Sequence, residues 1–102
     1  MQFDFFDNTQ NGILTTRTYE EFKERLIESN CNRCDLRKGR THIVVDRGNP
    51  ATAILLIGEG PGENEDRQGK AFVGRAGQLM DELFSEIGID TNRETLIANV
   101  VK

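Results

Sequence analysis

The most constraining feature of this sequence is Ala53-Ile54-Leu55-Leu56-Ile57, a continuous apolar run closed by Gly58. A strand with one wet face alternates apolar and polar residues, so an uninterrupted run of this length predicts a strand covered on both faces, as in a parallel sheet between helices. A stretch rich in glycine and charge, Gly58 to Gly74, follows and reads as a long loop. Beyond it Ala76, Leu79, Met80, Leu83, Phe84 and Ile87 recur at helical spacing as one apolar stripe, with Gly88 placed to end the helix. Leu96-Ile97-Ala98-Asn99-Val100-Val101 predicts a second buried strand carrying one polar residue. Strand, loop, helix, strand is a βαβ unit. It implies an α/β fold with a central parallel sheet flanked by helices, a right-handed crossover, and functional loops beyond the C-terminal strand ends.

Upstream, Thr18 and Glu21 make a capping box, and Tyr19, Phe22, Leu26 and Ile27 predict an amphipathic helix over about 19 to 29. Asn30 suits the left-handed residue that closes a helix, Cys31-Asn32-Arg33-Cys34 opens the next turn, and Arg47-Gly48-Asn49-Pro50 marks another. Residues 1–17 show no period and are expected as a loosely attached tail. A chain of 102 residues suffices for one domain or a piece of one. Two strands and two helices cannot cover both faces of a parallel sheet, so residues 18–102 read as the front part of a larger domain. Taken alone, such a piece is expected to expose apolar surface and to self-associate.

The net charge of −4 excludes a generally basic nucleic-acid coat and confines any such contact to local patches. Arg33, Arg37, Lys38 and Arg40, crowded around the only two cysteines, form one: either a solvated turn or a phosphate-facing patch. No run approaches the roughly 18 apolar residues of a membrane span. Acidic Asp4 and Asp7 stand where a secretory signal would be basic, so the chain reads as cytoplasmic, with no membrane partner.

Gly58-Glu59-Gly60-Pro61-Gly62 sits where an open α/β sheet binds its ligand. A dinucleotide fingerprint needs glycine where Glu63 stands, and a phosphate-binding P-loop needs glycine and Ser or Thr where Asn64 and Ala71 stand. No nucleotide cofactor is therefore expected. A tight turn remains, holding one carboxylate, Glu59, with backbone N–H groups accessible to a ligand. The pair Cys31-x-x-Cys34 by itself is open between a zinc half-site, a redox dithiol and two unconnected thiols.

The stretch GEGPGENEDRQGKAFVGRAGQLMDELF, Gly58 to Phe84, resembles the signature of the iron-sulfur (family 4) uracil-DNA glycosylases. Cys31-x-x-Cys34, Leu36-Arg37 and Gly48-Asn49-Pro50 upstream, and Asn99-Val100-Val101-Lys102 downstream, fall where that family has them, so the resemblance covers about residues 31 to 102. It implies a three-layer uracil-DNA-glycosylase-like fold, of which this chain holds the N-terminal part. It also implies a 4Fe-4S cluster in the full-length parent, to which Cys31 and Cys34 contribute two of four ligands. That cluster would clamp a loop whose basic residues face DNA phosphates. The implied partner is uracil-containing DNA, and the implied parent is monomeric.

The implied activity is monofunctional hydrolysis of the N-glycosidic bond of deoxyuridine, on a base flipped out of the duplex. Asn99 corresponds to the residue that reads uracil, its carboxamide oxygen accepting from N3–H and its NH2 donating to O4, a pattern that cytosine reverses. Phe72 corresponds to the aromatic on which the base stacks. Glu59 corresponds to the carboxylate that holds the attacking water and stabilises the oxocarbenium charge. Gly58, Gly60 and Gly62 would let the backbone lie close to the sugar. The better-known uracil glycosylases place Asp and Tyr where this chain has Gly60 and Gly62, so thymine must be excluded by other means. Arg67, Lys70 and Arg75 flank the loop as phosphate contacts, partly neutralised by Glu63, Glu65 and Asp66, while His42 matches no family motif and reads as surface. The competing readings are a non-catalytic DNA-binding module of the same fold, a truncated inactive product, and a sugar- or nucleotide-binding α/β protein with a zinc half-site.

Overall fold

The computed structural model describes residues 15–102, so most of the expected tail over residues 1–17 lies outside the described residues. The chain divides into two compact units, one running to Arg37 and the other Lys38–Lys102. In the first, helix α1 (Tyr19–Glu28) starts as expected: the Thr18 hydroxyl accepts from the Glu21 N–H at 3.1 Å, and the Glu21 carboxylate accepts from the Arg17 N–H at 3.2 Å. Leu26 is its buried residue, and Asn30 takes the left-handed conformation (φ 45°) just past the helix end. A short 3₁₀ turn, Asp35–Gly39, comes next in the chain.

The second unit is built on three strands, β1 (Asp46–Gly48), β2 (Ile54–Gly58) and β3 (Thr95–Asn99), with β3 in the centre. β2 and β3 pair in parallel from Ile54 opposite Thr95 to Gly58 opposite Asn99, the pairing expected of a βαβ unit. β1 corrects the turn expected at Arg47 to Pro50: Asp46, Arg47 and Gly48 pair antiparallel with Ala98, Ile97 and Leu96, making the sheet mixed. Three residues are too few for periodicity to register, and the ladder is supplied entirely by β3.

Between β2 and β3 run α2 (Glu63–Gln68), α3 (Arg75–Glu86) and α4 (Thr91–Glu94). α2 lies inside the stretch expected as a loop. It has no apolar residue to reveal a period, and it is held by local devices instead: Gly62 at its N-cap, Gly69 in the left-handed conformation (φ 74°) at its C-cap, and an Arg67–Glu63 ion pair of 3.1 Å. α4 was equally unmarked by pattern. The Asp90 carboxylate accepts from the Asn92 N–H at 3.0 Å, while the Glu94 carboxylate accepts from the Asp90 N–H.

Val44, Ala71 and Ile97 are fully buried and form the core, with Leu56, Phe72 and Met80 packed against it. Each large aliphatic side chain so buried stabilises by about 1.5–3 kcal/mol. Burial departs from expectation at two places. The continuous apolar run predicts cover on both faces of β2, yet Leu55 and Ile57, which share one face, are 56% and 65% exposed: no described element covers that face of β2, the edge strand of a sheet ordered β1-β3-β2. The stripe of α3 is split: Met80 turns to the core, whereas Leu79, Leu83 and Ile87 are all more than half exposed.

Candidate functional site

The parallel pairing sets the site, because it brings the C-terminal ends of β2 and β3 level. Gly58 lies opposite Asn99, and the ladder runs on past both strands: the Val100 N–H donates to the Gly58 carbonyl and the Val101 N–H to the Glu59 carbonyl, each at 3.0 Å. Glu59 thereby follows directly on the last paired residue of β2, with its side chain exposed.

Asn99 is 3% exposed, and among the described residues neither its carboxamide oxygen nor its nitrogen has a hydrogen-bond partner. Leaving a buried polar group unpaired costs about 1–3 kcal/mol, so a chain that keeps one here holds donor and acceptor ready for something else. The neighbours of Asn99 define the space. A Cβ on Gly58 would lie 2.5 Å from Asn99 Oδ1 and 2.6 Å from Phe72 Cε2, so only glycine lets ring, carboxamide and strand end converge.

Phe72 reaches this place through an uncommon backbone. Its φ is 55°, a left-handed conformation that costs a non-glycine residue about 1–2 kcal/mol. Two contacts hold it. The Arg47 guanidinium donates to the Ala71 carbonyl at 2.8 Å and to the Phe72 carbonyl at 2.7 Å, and Gly77 of α3 lies so close that a Cβ there would overlap the Phe72 carbonyl. The sequence places Arg47 in a turn, and no spacing marks its role.

The ends of the glycine-rich segment are tied by Glu65, whose carboxylate accepts from the Gly74 N–H at 3.3 Å and lies beside Gly62. Gly62 caps α2, and Gly60 approaches the Val101 side chain. Asp66 anchors the segment before the core: its carboxylate accepts from the Thr41 N–H at 2.8 Å and the His42 N–H at 3.0 Å. The His42 N–H, then the Thr41 N–H, stabilise the charged form and hold the Asp66 carboxyl below its ordinary value. His42 is exposed, as expected. Lys102 donates to the Asn99 carbonyl at 2.6 Å, and its partial burial lowers its pKa against the opposing pull of Asp46.

Among the predicted phosphate contacts, Lys38, Arg67, Lys70 and Arg75 are exposed and Arg40 is half-buried in the second unit; Arg67 is engaged with Glu63. Arg33 and Arg37 are exposed in the first unit. There Cys31 and Cys34 are not joined in a disulfide, and the Arg37 N–H donates to the Cys34 carbonyl at 3.3 Å. Two thiols on a turn suit half of a four-cysteine set, and among the described residues no group of three or more His, Cys, Asp or Glu side chains stands ready for a metal ion. An open depression lined by Asn49, Asp90, Asn92, Arg93 and Glu94 includes none of the predicted site residues. No helix among the described residues is long and apolar enough to cross a membrane.

At the C-terminal ends of a parallel strand pair, a glycine turn, a carboxylate, a left-handed aromatic and a buried carboxamide unpaired among the described residues come together, the groups and the place of a candidate α/β ligand site. Residues 45–102 match the family model of the uracil DNA glycosylase superfamily, which is more than half of the chain, and the chain belongs to that superfamily. It is 48% identical over 87 residues to a type-4 uracil-DNA glycosylase of Thermotoga maritima, covering 83% of this chain and 45% of that protein. Over 84 residues it is 43% identical to the type-4 enzyme of Sulfurisphaera tokodaii, covering 81% of this chain and 37% of that protein. With the type-4 enzyme of Saccharolobus solfataricus the identity is 46% over 72 residues, 71% of this chain and 33% of that protein. The chain thus spans less than half the length of these curated relatives.

Proposed function

We propose that residues 18–102 are the N-terminal part of a uracil-DNA glycosylase domain, and that the protein hydrolyses the N-glycosidic bond of deoxyuridine in DNA. The observation that carries this reading is the Asn99 carboxamide, buried at the end of β3 with both polar atoms unpaired among the described residues and the Phe72 ring beside it. An extruded uracil meets that demand: its N3–H donates to Asn99 Oδ1, its O4 accepts from Nδ2, and its face stacks on Phe72. Cytosine presents a lone pair at N3 and a donor at position 4, so it clashes with both atoms.

Glu59, on the open side of the strand end, holds a water against C1′. As the bond from C1′ to N1 breaks, the pair of electrons leaves with uracil, the carboxylate stabilises the oxocarbenium charge, and the water proton passes to Glu59 as the C1′–O bond forms. Gly58 and Gly60 let the backbone approach the sugar, and Gly62 starts the helix that closes the loop. Lys38, Arg40, Lys70 and Arg75, with Arg33 and Arg37 of the first unit, contact phosphates, each contact weakening with salt. Cys31 and Cys34 would supply two thiolates to a 4Fe-4S cluster, whose part is to hold its loop in place; hydrolysis needs no electron from it. The protein acts in the cytoplasm and as a monomer.

The test is excision from a labelled uracil oligonucleotide by the intact protein and by this 102-residue chain, each with Asn99→Asp as control. Excision that the control lowers by two or more orders of magnitude supports the reading. A folded intact protein that binds the oligonucleotide but leaves uracil in place replaces it with a DNA-binding module of the same fold.

A further inference from the structure

The Arg47 guanidinium makes five hydrogen bonds: Nε to the Ala71 carbonyl (2.8 Å), Nη2 to the Phe72 carbonyl (2.7 Å) and to Asp81 Oδ1 (3.1 Å), and Nη1 to Asn92 Oδ1 (3.0 Å) and Thr91 Oγ1 (3.3 Å). A guanidinium has five N–H donors, and every one is spent. The side chain is 9% exposed although it starts from a short strand beside a turn. Asp81, from α3, is fixed in turn by the Thr91 hydroxyl at 2.8 Å.

The arrangement has a direction. Its outer partners belong to α3 and α4, and its inner partners are two consecutive carbonyls, the second being that of Phe72 in its left-handed conformation. A surface ion pair would need only Asp81. Gripping adjacent carbonyls from one planar fork fixes the orientation of the peptide planes on both sides of the Phe72 Cα, and hence where the ring points. From that Cα the ring runs to the Gly58–Asn99 strand end.

We propose that Arg47 is the positioning residue for Phe72, holding its backbone in the left-handed conformation so that the ring stands beside Asn99 before any base arrives. This rests on the reading of Phe72 as the base-stacking ring. Lysine keeps the charge opposite Asp81 but is a point donor on a flexible stem, so it cannot reproduce the two-carbonyl grip.

The test uses Arg47→Lys with two readouts. The first needs no activity: the Gly58 Hα that points along the Cβ direction faces the Phe72 ring, so its proton resonance carries a ring-current shift. Arg47→Lys is expected to return that resonance toward the ordinary glycine position while the protein remains folded. The second is single-turnover uracil excision by the intact protein, expected to fall about tenfold in Arg47→Lys, with no further loss when Arg47→Lys is added to Phe72→Gly, because the ring it positions is gone. An unmoved Gly58 resonance, or losses that simply multiply in the double variant, overturns the proposal and leaves Arg47 a structural ion-pair partner. If Arg47→Lys does not fold, Asn92→Ala, which removes one exposed anchor of Nη1, decides: the Gly58 resonance moves the same way by a smaller amount, or the proposal falls. Absence of excision by the wild-type protein would defeat the glycosylase reading, while the Gly58 resonance still decides the role of Arg47.

Discussion

At the scale of single residues, stability and function oppose each other at Asn99 and run together at Gly58, and measurement separates the two cases. Replacing Asn99 by Leu, of similar size, removes two buried polar atoms that have no partner among the described residues. It is expected to leave thermal stability unchanged or raise it by about 1–2 kcal/mol while abolishing uracil excision. A loss of several kcal/mol would mean that the carboxamide is structurally satisfied after all. Gly58→Ala places a Cβ against the Phe72 ring and Asn99 Oδ1, and should cost about 1–3 kcal/mol in thermal unfolding together with uracil binding. Asp66 makes a prediction in pH. Its folded-state pKa lies below the ordinary carboxyl value of 3.8, lowered by the His42 and Thr41 N–H groups, so its stabilising contribution is complete above 3.8 and disappears as pH falls through the lower folded value. The Thr41 and His42 amide resonances should move together in that acid range, and Asp66→Asn should remove the transition.

At the scale of elements, residues that read as unremarkable in one dimension acquire their meaning from what they face. Gly77 lies within α3, where glycine is ordinarily replaced by alanine with a gain of about 1 kcal/mol. Here a Cβ would overlap the Phe72 carbonyl, so Gly77→Ala is expected to lower the unfolding temperature and to disturb the ring with it. A stabilised Gly77→Ala would show that the approach of α3 to residue 72 is loose. α1, β2, α3 and β3 were each legible in the sequence, because periodicity, a continuous apolar run and capping residues are local signals. β1, α2 and α4 were not: three, six and four residues are too short for a period, and α2 carries no apolar residue at all.

At the scale of the whole molecule, apolar side chains on β2, on α3 and at the cap of α3 remain in contact with solvent: Leu55 56%, Ile57 65%, Leu79 56%, Leu83 54% and Ile87 70% exposed. Surface of this kind favours association. The 102-residue chain alone is expected to show a mass that rises with concentration in light scattering, lowered by the double substitution Leu55→Lys and Ile57→Lys on the edge strand; a monodisperse monomer at every concentration would contradict it. By itself the sequence determined the α/β class, the parallel strand pair and the residues Glu59, Phe72 and Asn99 as candidates, because hydrophobic pattern and motif are written along the chain. Only the tertiary structure decided that β1 joins antiparallel, that β2 is an edge, that Asn99 is buried with its carboxamide unpaired among the described residues, and that Arg47 grips residue 72 from 25 positions away. Those are contacts between segments far apart in the chain, and no local spacing encodes them.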